Sequence, residues 1–292
     1  MFTLSQNKQE AFLLSADKKA QASIILNEGG RLRKLRLKDE VIIQEPEGMS
    51  YEQTFAAAIL FPFANRIAQG KYTFNNQNYQ LPTNEKGRDN AIHGLVYDKT
   101  FEVVDYHESK DFAEISLFYR EEHPPAGFPF PYEIKLTYKL FADRLELKVN
   151  INNTGQQSFP FTLGWHPYFK TADLSSSKLT FHPQYQVLLD ENMITKGKVS
   201  AEIKKPFLIG GQNLDDCFIL QDHEVKLHSA NNQIGINSTP FYPYLQVYTP
   251  PTRDAIAIEP MTGVSDSFNN KIGLQVLEAG KRYEQTWEVV LW

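Results

Sequence analysis

The sequence predicts an all-β fold, a large sandwich of big twisted antiparallel sheets. Three observations predict it. The dominant hydrophobic period is two, helical periodicity is scarce, and Gly and Pro, 16 of each, break the chain into short runs. The clearest run alternates Ile134, Leu136, Tyr138 and Leu140 with Glu133, Lys135, Thr137 and Lys139. The next alternates Leu145, Leu147, Val149 and Ile151 with Glu146, Lys148, Asn150 and Asn152. Each is a strand with one apolar and one wet face, and Ala142-Asp143-Arg144 between them suits a hairpin.

Tyr72-Thr73-Phe74 and Tyr79-Gln80-Leu81 flank Asn75-Asn76-Gln77-Asn78, a second hairpin signal. Further strand-like runs lie at 22–26, 31–37, 41–44, 101–106, 112–119, 158–164, 177–181, 185–189, 217–220, 224–228, 245–249, 255–258 and 285–291. So many strands exceed a simple sandwich, which points to two big sheets. Short helix is expected only around Ser265–Asn269 and near Thr54–Leu60. The final run, Val289-Val290-Leu291-Trp292, needs a strand partner, and the first strand is the expected neighbour.

A chain of 292 residues with 41% hydrophobic and 22% charged residues is of ordinary globular composition, so disorder, collagen and coiled coil are excluded. No composition shift marks a linker, so one domain over 1–292 is expected. The net charge of −5 lacks the cationic field that nucleic-acid binding needs. No apolar run reaches membrane-spanning length, and the start MFTLSQNKQEAFLLSADKKA lacks the pattern of a signal peptide. A cytoplasmic protein, monomer or homodimer, is the expectation. The single cysteine, Cys217, excludes an intrachain disulfide and lies beside Asp215 and Asp216. Two carboxylates raise rather than lower a thiol pKa, so Cys217 is expected to be a buried filler.

No GxGxxG, P-loop, HExxH or GxSxG pattern occurs, which removes support for nucleotide, zinc-protease and serine-hydrolase chemistry. Of the seven histidines, His107, His123, His182, His223 and His228 lie among polar or turn residues. His93, in Asn90-Ala91-Ile92-His93-Gly94-Leu95, and His166, in Leu163-Gly164-Trp165-His166-Pro167-Tyr168-Phe169, lie in apolar and aromatic surroundings. Such an imidazole is either hydrogen-bonded in the core or functional. Glu259 directly follows the apolar run Ala255-Ile256-Ala257-Ile258. Partial desolvation raises the pKa of a carboxyl placed there, which suits a general base, while an ion pair with a loop arginine is the plainer alternative. Arg66, in Phe61-Pro62-Phe63-Ala64-Asn65-Arg66-Ile67, offers a fork for hydroxyls or carboxylates, or a structural ion pair.

Together these segments resemble the aldose 1-epimerase (galactose mutarotase) family. The matching stretches are Asn65-Arg66-Ile67-Ala68-x-Gly70, Leu81-x-x-Asn84, Ile92-His93-Gly94, Pro125-x-Gly127-Phe128-Pro129, Gly164-Trp165-His166-Pro167-Tyr168-Phe169, Leu214-Asp215-x-x-Phe218, Ile258-Glu259-Pro260 and Leu277-x-x-Gly280-Lys281. They follow the family's order over nearly the whole chain. The resemblance implies a galactose mutarotase-like β-supersandwich and interconversion of the α and β anomers of a free hexose. A glutamate takes the proton of the C1 hydroxyl, a histidine protonates the ring oxygen, the ring opens, and it recloses with inverted C1.

By motif, Glu259 is the implied base and His166 the acid. Arg66, His93 and Asp215 are the implied substrate-binding residues, with Asn65 and Trp165 beside them. Trp165, Tyr168 and Phe169 lie nearest the implied acid and are candidates for an aromatic platform. No cofactor or metal is implied. Mutual attraction favours an ionised Glu259 and a protonated His166, while burial opposes both charges, so a bell-shaped rate profile near neutrality is expected. Trp165 before His166, and Pro260-Met261-Thr262-Gly263 after Glu259, depart from galactose mutarotases and leave the sugar open. The alternatives are a hexose-6-phosphate 1-epimerase, for which Arg66, Arg88 and Lys86 are the available cations, and a non-catalytic carbohydrate-binding protein on the same fold. A glycosidase pairing Glu259 with Asp215 requires the two carboxyls roughly 5–9.5 Å apart.

Overall fold

The computed structural model describes residues 1–204, 206–230 and 232–292. Among them twenty strands join in one hydrogen-bonded network, with three two-stranded ribbons beside it. The fold is the all-β architecture of large antiparallel sheets that the alternation predicts. One continuous path of neighbours runs Glu102–Glu108, Ala113–Glu121, Tyr132–Leu140, Arg144–Asn153, Arg282–Leu291, Gln233–Thr239 and Asp215–His228. It continues through Tyr244–Tyr248, Ala255–Met261, Tyr168–Lys170, Glu40–Gln44, Arg31–Leu37, Gln21–Ile25, Glu10–Leu14 and Thr3–Gln6.

The alternating runs behave as their period requires. Along Tyr132–Leu140 every second residue is buried, and Arg144–Asn153 pairs with it in register, Ile134 opposite Ile151 and Leu136 opposite Val149. Buried apolar side chains from Phe2 to Leu291 form one core cluster. Each large aliphatic or aromatic side chain there contributes about 1.5–3 kcal/mol relative to exposure.

Several boundaries differ from expectation. The last strand pairs with Arg144–Asn153 and Gln233–Thr239, not with the first. Instead the N-terminal segment reaches the Glu102–Glu108 edge, where Phe2 N donates to Ser109 O at 2.8 Å and Leu4 N to Glu108 Oε1 at 2.6 Å. The runs at 177–181 and 185–189 are one strand, Lys178–Leu189, as are 217–220 and 224–228 within Asp215–His228. Helix near Thr54–Leu60 lies earlier, at Tyr51–Thr54, because Phe55 turns left-handed and ends it. The second short helix is Ser267–Asn270. In the 71–80 hairpin the turn is only Asn75-Asn76, both at positive φ, the conformation that asparagine tolerates best after glycine.

One interruption of the ladder positions the site. His166-Pro167 separates the strands Gly164–Trp165 and Tyr168–Lys170, both of which pair with Ala255–Met261. Proline has no N–H for the ladder, so pairing lapses there, and Ile258 N donates to Pro167 O at 3.3 Å. The lapse lies beside Glu259.

Candidate active site

Glu259 is not at a strand end as its sequence context suggested. The strand continues through Pro260 to Met261, and Glu259 lies opposite Gln246 of Tyr244–Tyr248. Gln246 lies opposite Cys217 of Asp215–His228, so Glu259, Gln246 and Cys217 share one face across three strands. The next rung on that face is Tyr168, Ala257, Tyr248 and Asp215. These two rungs form the sheet wall of a cleft of about 840 Å³, whose lining includes Phe55, Asn65, Arg66, Glu85, His93, His166, Tyr168, Asp215, Gln246, Tyr248 and Glu259. The volume falls in the range of small-molecule sites, about 300–1,000 Å³.

The opposite wall comes from loops. Arg66 and Ile92 pair in a two-residue ribbon, which carries Asn65 and His93 at its ends. His93 N donates to Asn65 O at 3.0 Å, and Asn84 holds Ile92 by accepting from its N–H at 2.7 Å. His93 is left-handed, at φ 64°, and Gly94 follows at φ 80°. A Cβ on Gly94 would stand 2.3 Å from Phe61 O, so only glycine allows the backbone contact that holds the histidine here. Phe55 and Ala57 are also left-handed, and Asn65 too. Such conformations cost of order 1–3 kcal/mol each and persist where the surroundings hold them.

At the floor His166 Nε2 lies 3.3 Å from Glu259 Oε1. Both residues are buried, at 5% and 2% exposure. His166 Nδ1, Glu259 Oε2 and His93 Nδ1 have no hydrogen-bond partner among the described residues. The His166 ring stacks on Tyr168, centroids 5.1 Å apart, and meets His93 edge-on at 5.1 Å. Burial pulls the His166 pKa down to about 4 and pushes that of Glu259 well above the ordinary carboxylate value, with Asp215 adding to the second effect. Burial therefore outweighs the mutual attraction expected from sequence. The empty pair favours neutral imidazole beside protonated carboxyl, one proton and no net charge between them. His93 is likewise held well below its ordinary value, by burial first and then by His166 and Arg66.

Arg66 combines both sequence readings. It lines the cleft, and its Nε and Nη2 grip Glu85 at 2.9–3.0 Å. Its Nη1 donates to Asn65 Oδ1 at 3.1 Å. From there the hydrogen bonds have only one possible direction. Arginine cannot accept, so Asn65 presents its oxygen to Arg66 and its NH₂ to Gln246 Oε1 at 3.3 Å. Gln246 Nε2 then donates to Asp215 Oδ1 at 2.7 Å. Asp215 thus ends the relay as an acceptor, although burial raises its pKa.

The structure brings six of the seven sequence candidates together: Asn65, Arg66, His93, His166, Asp215 and Glu259. Trp165 is the correction. It is fully buried, stacks on Trp287 with centroids 6.0 Å apart, and is not among the lining residues. Strand alternation turns it to the face opposite His166. Phe169 is likewise buried in the core, whereas Tyr168 lines the cleft. Gln246, Glu85, Phe55 and Tyr248 were missed. Their only signal was polar or aromatic character within short strands and loops. Cys217 is buried and its thiol pKa is pushed up by burial and by the nearby carboxylates, as a filler's would be. Among the described residues no group of three or more His, Cys, Asp or Glu side chains is placed to hold a metal ion, and no helix is long and apolar enough to cross a membrane.

Comparison with known proteins agrees with this architecture. The aldose 1-epimerase family profile matches residues 10–289. The uncharacterized protein YihR of Escherichia coli (strain K12) is 28% identical over 82% of this chain and 80% of its own. Galactose mutarotase of Rattus norvegicus is 28% identical over 64% of this chain, a match that spans 58% of the rat protein. A galactose mutarotase-like protein from Clostridium acetobutylicum has the same fold, with a TM-score of 0.88, 18% identity, and coverage of 100% of this chain and 98% of its own. Galactose 1-epimerase from Lactobacillus acidophilus superposes with a TM-score of 0.78 at 18% identity, over 100% and 98% of the two chains. The profile covers almost every strand that builds the cleft, and on that ground the chain belongs to the aldose 1-epimerase family.

Proposed function

We propose that the protein, acting as one domain, interconverts the α and β anomers of a free, uncharged hexose by acid–base ring opening and reclosure. The observation that carries this reading is the His166–Glu259 pair, 3.3 Å apart, with Glu259 Oε2 and His166 Nδ1 left without partners. Anomer exchange needs one proton taken from O1 and one given to the ring oxygen. A pair that holds one proton between two bases has that stoichiometry. Sugar hydroxyls that donate to the Glu259 carboxylate supply the polarity that moves the proton from Glu259 to His166. Glu259 then accepts from O1–H as His166 donates to the ring oxygen, and the roles reverse on reclosure. Each such group contributes roughly 10²–10⁴-fold.

His93 and the N–H groups of Arg66 not spent on Glu85 and Asn65 bind hydroxyls, and Asp215 accepts from hydroxyls at the other wall. Tyr168, Tyr248 and Phe55 offer apolar surface to the ring. A neutral sugar is favoured over a phosphosugar because Arg66 and Arg88 share the single carboxylate of Glu85, which offsets one of their two charges and occupies their donors. Polarimetry on freshly dissolved α-glucose and α-galactose, with glucose 6-phosphate alongside, tests the reading. Acceleration of a neutral sugar, lost in Glu259→Gln with the fold retained, is the expected result. No acceleration of any of the three defeats it, and tight sugar binding by calorimetry without exchange identifies a binding protein instead.

A further inference from the structure

Arg31 opens the strand Arg31–Leu37 and is 3% exposed, yet it does not line the cleft. Its guanidinium is fully engaged. Nε donates to Glu28 at 2.6 Å, Nη2 contacts Glu28 and Glu45, and the group lies 4.1 Å over the Tyr51 ring. Its remaining donor, Nη1, reaches the carbonyl of Ala56 at 3.4 Å. Ala56 lies between the left-handed residues Phe55 and Ala57. The main chain just beyond this bend grips His166 from both sides: Ala57 N donates to His166 O at 2.7 Å, and His166 N donates to Ala58 O at 3.1 Å. On the other side of the bend Phe55 packs edge-on against His93, with centroids 4.8 Å apart.

A left-handed pair of non-glycine residues holds its shape only when its surroundings enforce it. Around this bend the backbone bonds Phe55 N to Tyr51 O at 2.7 Å and Ala58 N to Phe55 O at 2.9 Å, and the side chains that enforce it are Arg31 on Ala56 O, Tyr168 Oη on Thr54 O at 3.2 Å, and Thr54 Oγ1 accepting from Ala56 N at 3.3 Å. Arg31 is the only one of these that is also anchored by two carboxylates and an aromatic face. We propose that Arg31 is a positioning residue for His166: by holding the Ala56 carbonyl it maintains the bend whose backbone sets His166 against Glu259. This goes deeper into the anomerase reading and rests on it for its kinetic arm. Lysine at position 31 keeps the charge but not the planar fork, so it cannot serve Glu28, Glu45 and the Ala56 carbonyl together.

The test pairs Arg31→Lys with Ala57→Gly, since glycine adopts the left-handed conformation freely and makes the bend independent of its brace. Polarimetric kcat and KM are measured for the wild type, each single variant and the double variant, with the folded fraction checked by thermal melting. Arg31→Lys is expected to lower kcat about tenfold to a hundredfold with KM within a factor of about two, the scale of a small misplacement of a reacting group. The double variant is expected to recover at least half of the lost kcat on a logarithmic scale. Unchanged kcat in Arg31→Lys, a loss that tracks the unfolded fraction, or no recovery in the double variant overturns the proposal. The ring nitrogen NMR signals of His166, assigned with His166→Asn, give a second arm that needs no activity. They should shift in Arg31→Lys and return in the double variant while those of His223 stay put, and an unmoved His166 signal overturns the proposal. An inactive wild type defeats the anomerase reading alone and leaves this arm to decide.

Discussion

Gln246 lies directly opposite Glu259 in the register of adjacent strands, yet its amide is bonded to Asp215 and Asn65 rather than to Glu259. The side chain best placed to quench Glu259 is thereby turned away, and Glu259 Oε2 has no partner among the described residues. The direction of the relay also fixes Asp215 as an acceptor. Gln246→Glu puts a second acid against Asp215 and leaves no N–H for it, and Gln246→Leu leaves the Asp215 oxygen unpaired. Loss of such a bond costs about 1–3 kcal/mol, so kcat/KM should fall roughly tenfold to a hundredfold in either variant. Most of the change should lie in KM, because in the proposed reaction Asp215 binds hydroxyls that do not react. Steady-state polarimetry with unchanged KM in both would contradict the relay.

Rate should follow pH as a one-proton pair dictates. When His166, whose pKa is pulled to about 4, takes a proton, the pair holds two and the base is lost. When Glu259 gives up its proton, at a pH raised by burial, the pair holds none and the acid is lost. The profile is a bell whose acid limb lies closer to pH 4 than to the 6.5 of a free imidazole. Measuring kcat/KM from pH 3 to 9, with the buffer-catalysed rate subtracted, checks it; an acid limb at 6.5 would contradict the desolvated pair.

Stability carries the opposite signs of the same two groups. Glu259 titrates near 4.5 when unfolded and well above that when folded, so its contribution is complete below 4.5 and is lost as pH rises toward the folded value. His166 titrates near 6.5 when unfolded and about 4 when folded, so its contribution is complete above 6.5 and is lost as pH falls toward 4. Between 4.5 and 6.5 the slopes oppose each other, and above 6.5 only that of Glu259 remains. Glutamine has no proton to lose. Glu259→Gln should therefore gain on the wild type between pH 6.5 and 8.5, by about 2 °C in Tm per kcal/mol. Calorimetry at the two pH values reads the Tm of the variant minus that of the wild type, and a difference that falls with rising pH has the wrong sign.

Trp165→Phe separates packing from binding. The indole is stacked on Trp287 in the core, and its Nε1 has no partner, so only volume and contact are lost. About 1–2 kcal/mol of stability should disappear in a urea titration. Polarimetric KM should stay within about twofold of the wild type. A larger rise would return Trp165 to the site.

The strands were legible wherever a single face is buried, as along Tyr132–Leu140, because the period of two is itself the sheet's signature. His93, His166 and Glu259 were legible because a polar side chain in apolar company needs a reason. Trp165 was misjudged because its nearness to His166 along the chain was read as nearness to the cleft, whereas adjacent residues of a strand face opposite sides. The apolar run ends at Ile258 in the sequence, but the strand continues through Glu259 and Pro260, the latter opposite Leu245, to Met261. Gln246 was invisible for a different reason. An isolated glutamine in a strand usually faces water, and only the pairing of three strands places this one between Asp215 and Glu259.

The contact of Phe2 N with Ser109 O bears on solubility. The Glu102–Glu108 strand has Ala113–Glu121 on one side, and the N-terminal segment meets its other side only at the Glu108–Ser109 end, whereas Thr3–Gln6 pairs in full register with Glu10–Leu14. Val104 and Tyr106 on that strand are already exposed, at 51% and 59%. Deleting residues 1–6 would leave Glu10–Leu14 paired on its Gln21–Ile25 side alone and open a second rim beside the exposed 102–108 strand, able to recruit strands from other molecules. Aggregation, rather than loss of catalysis, is the first failure to expect from an N-terminal truncation, and an affinity tag belongs at the other end.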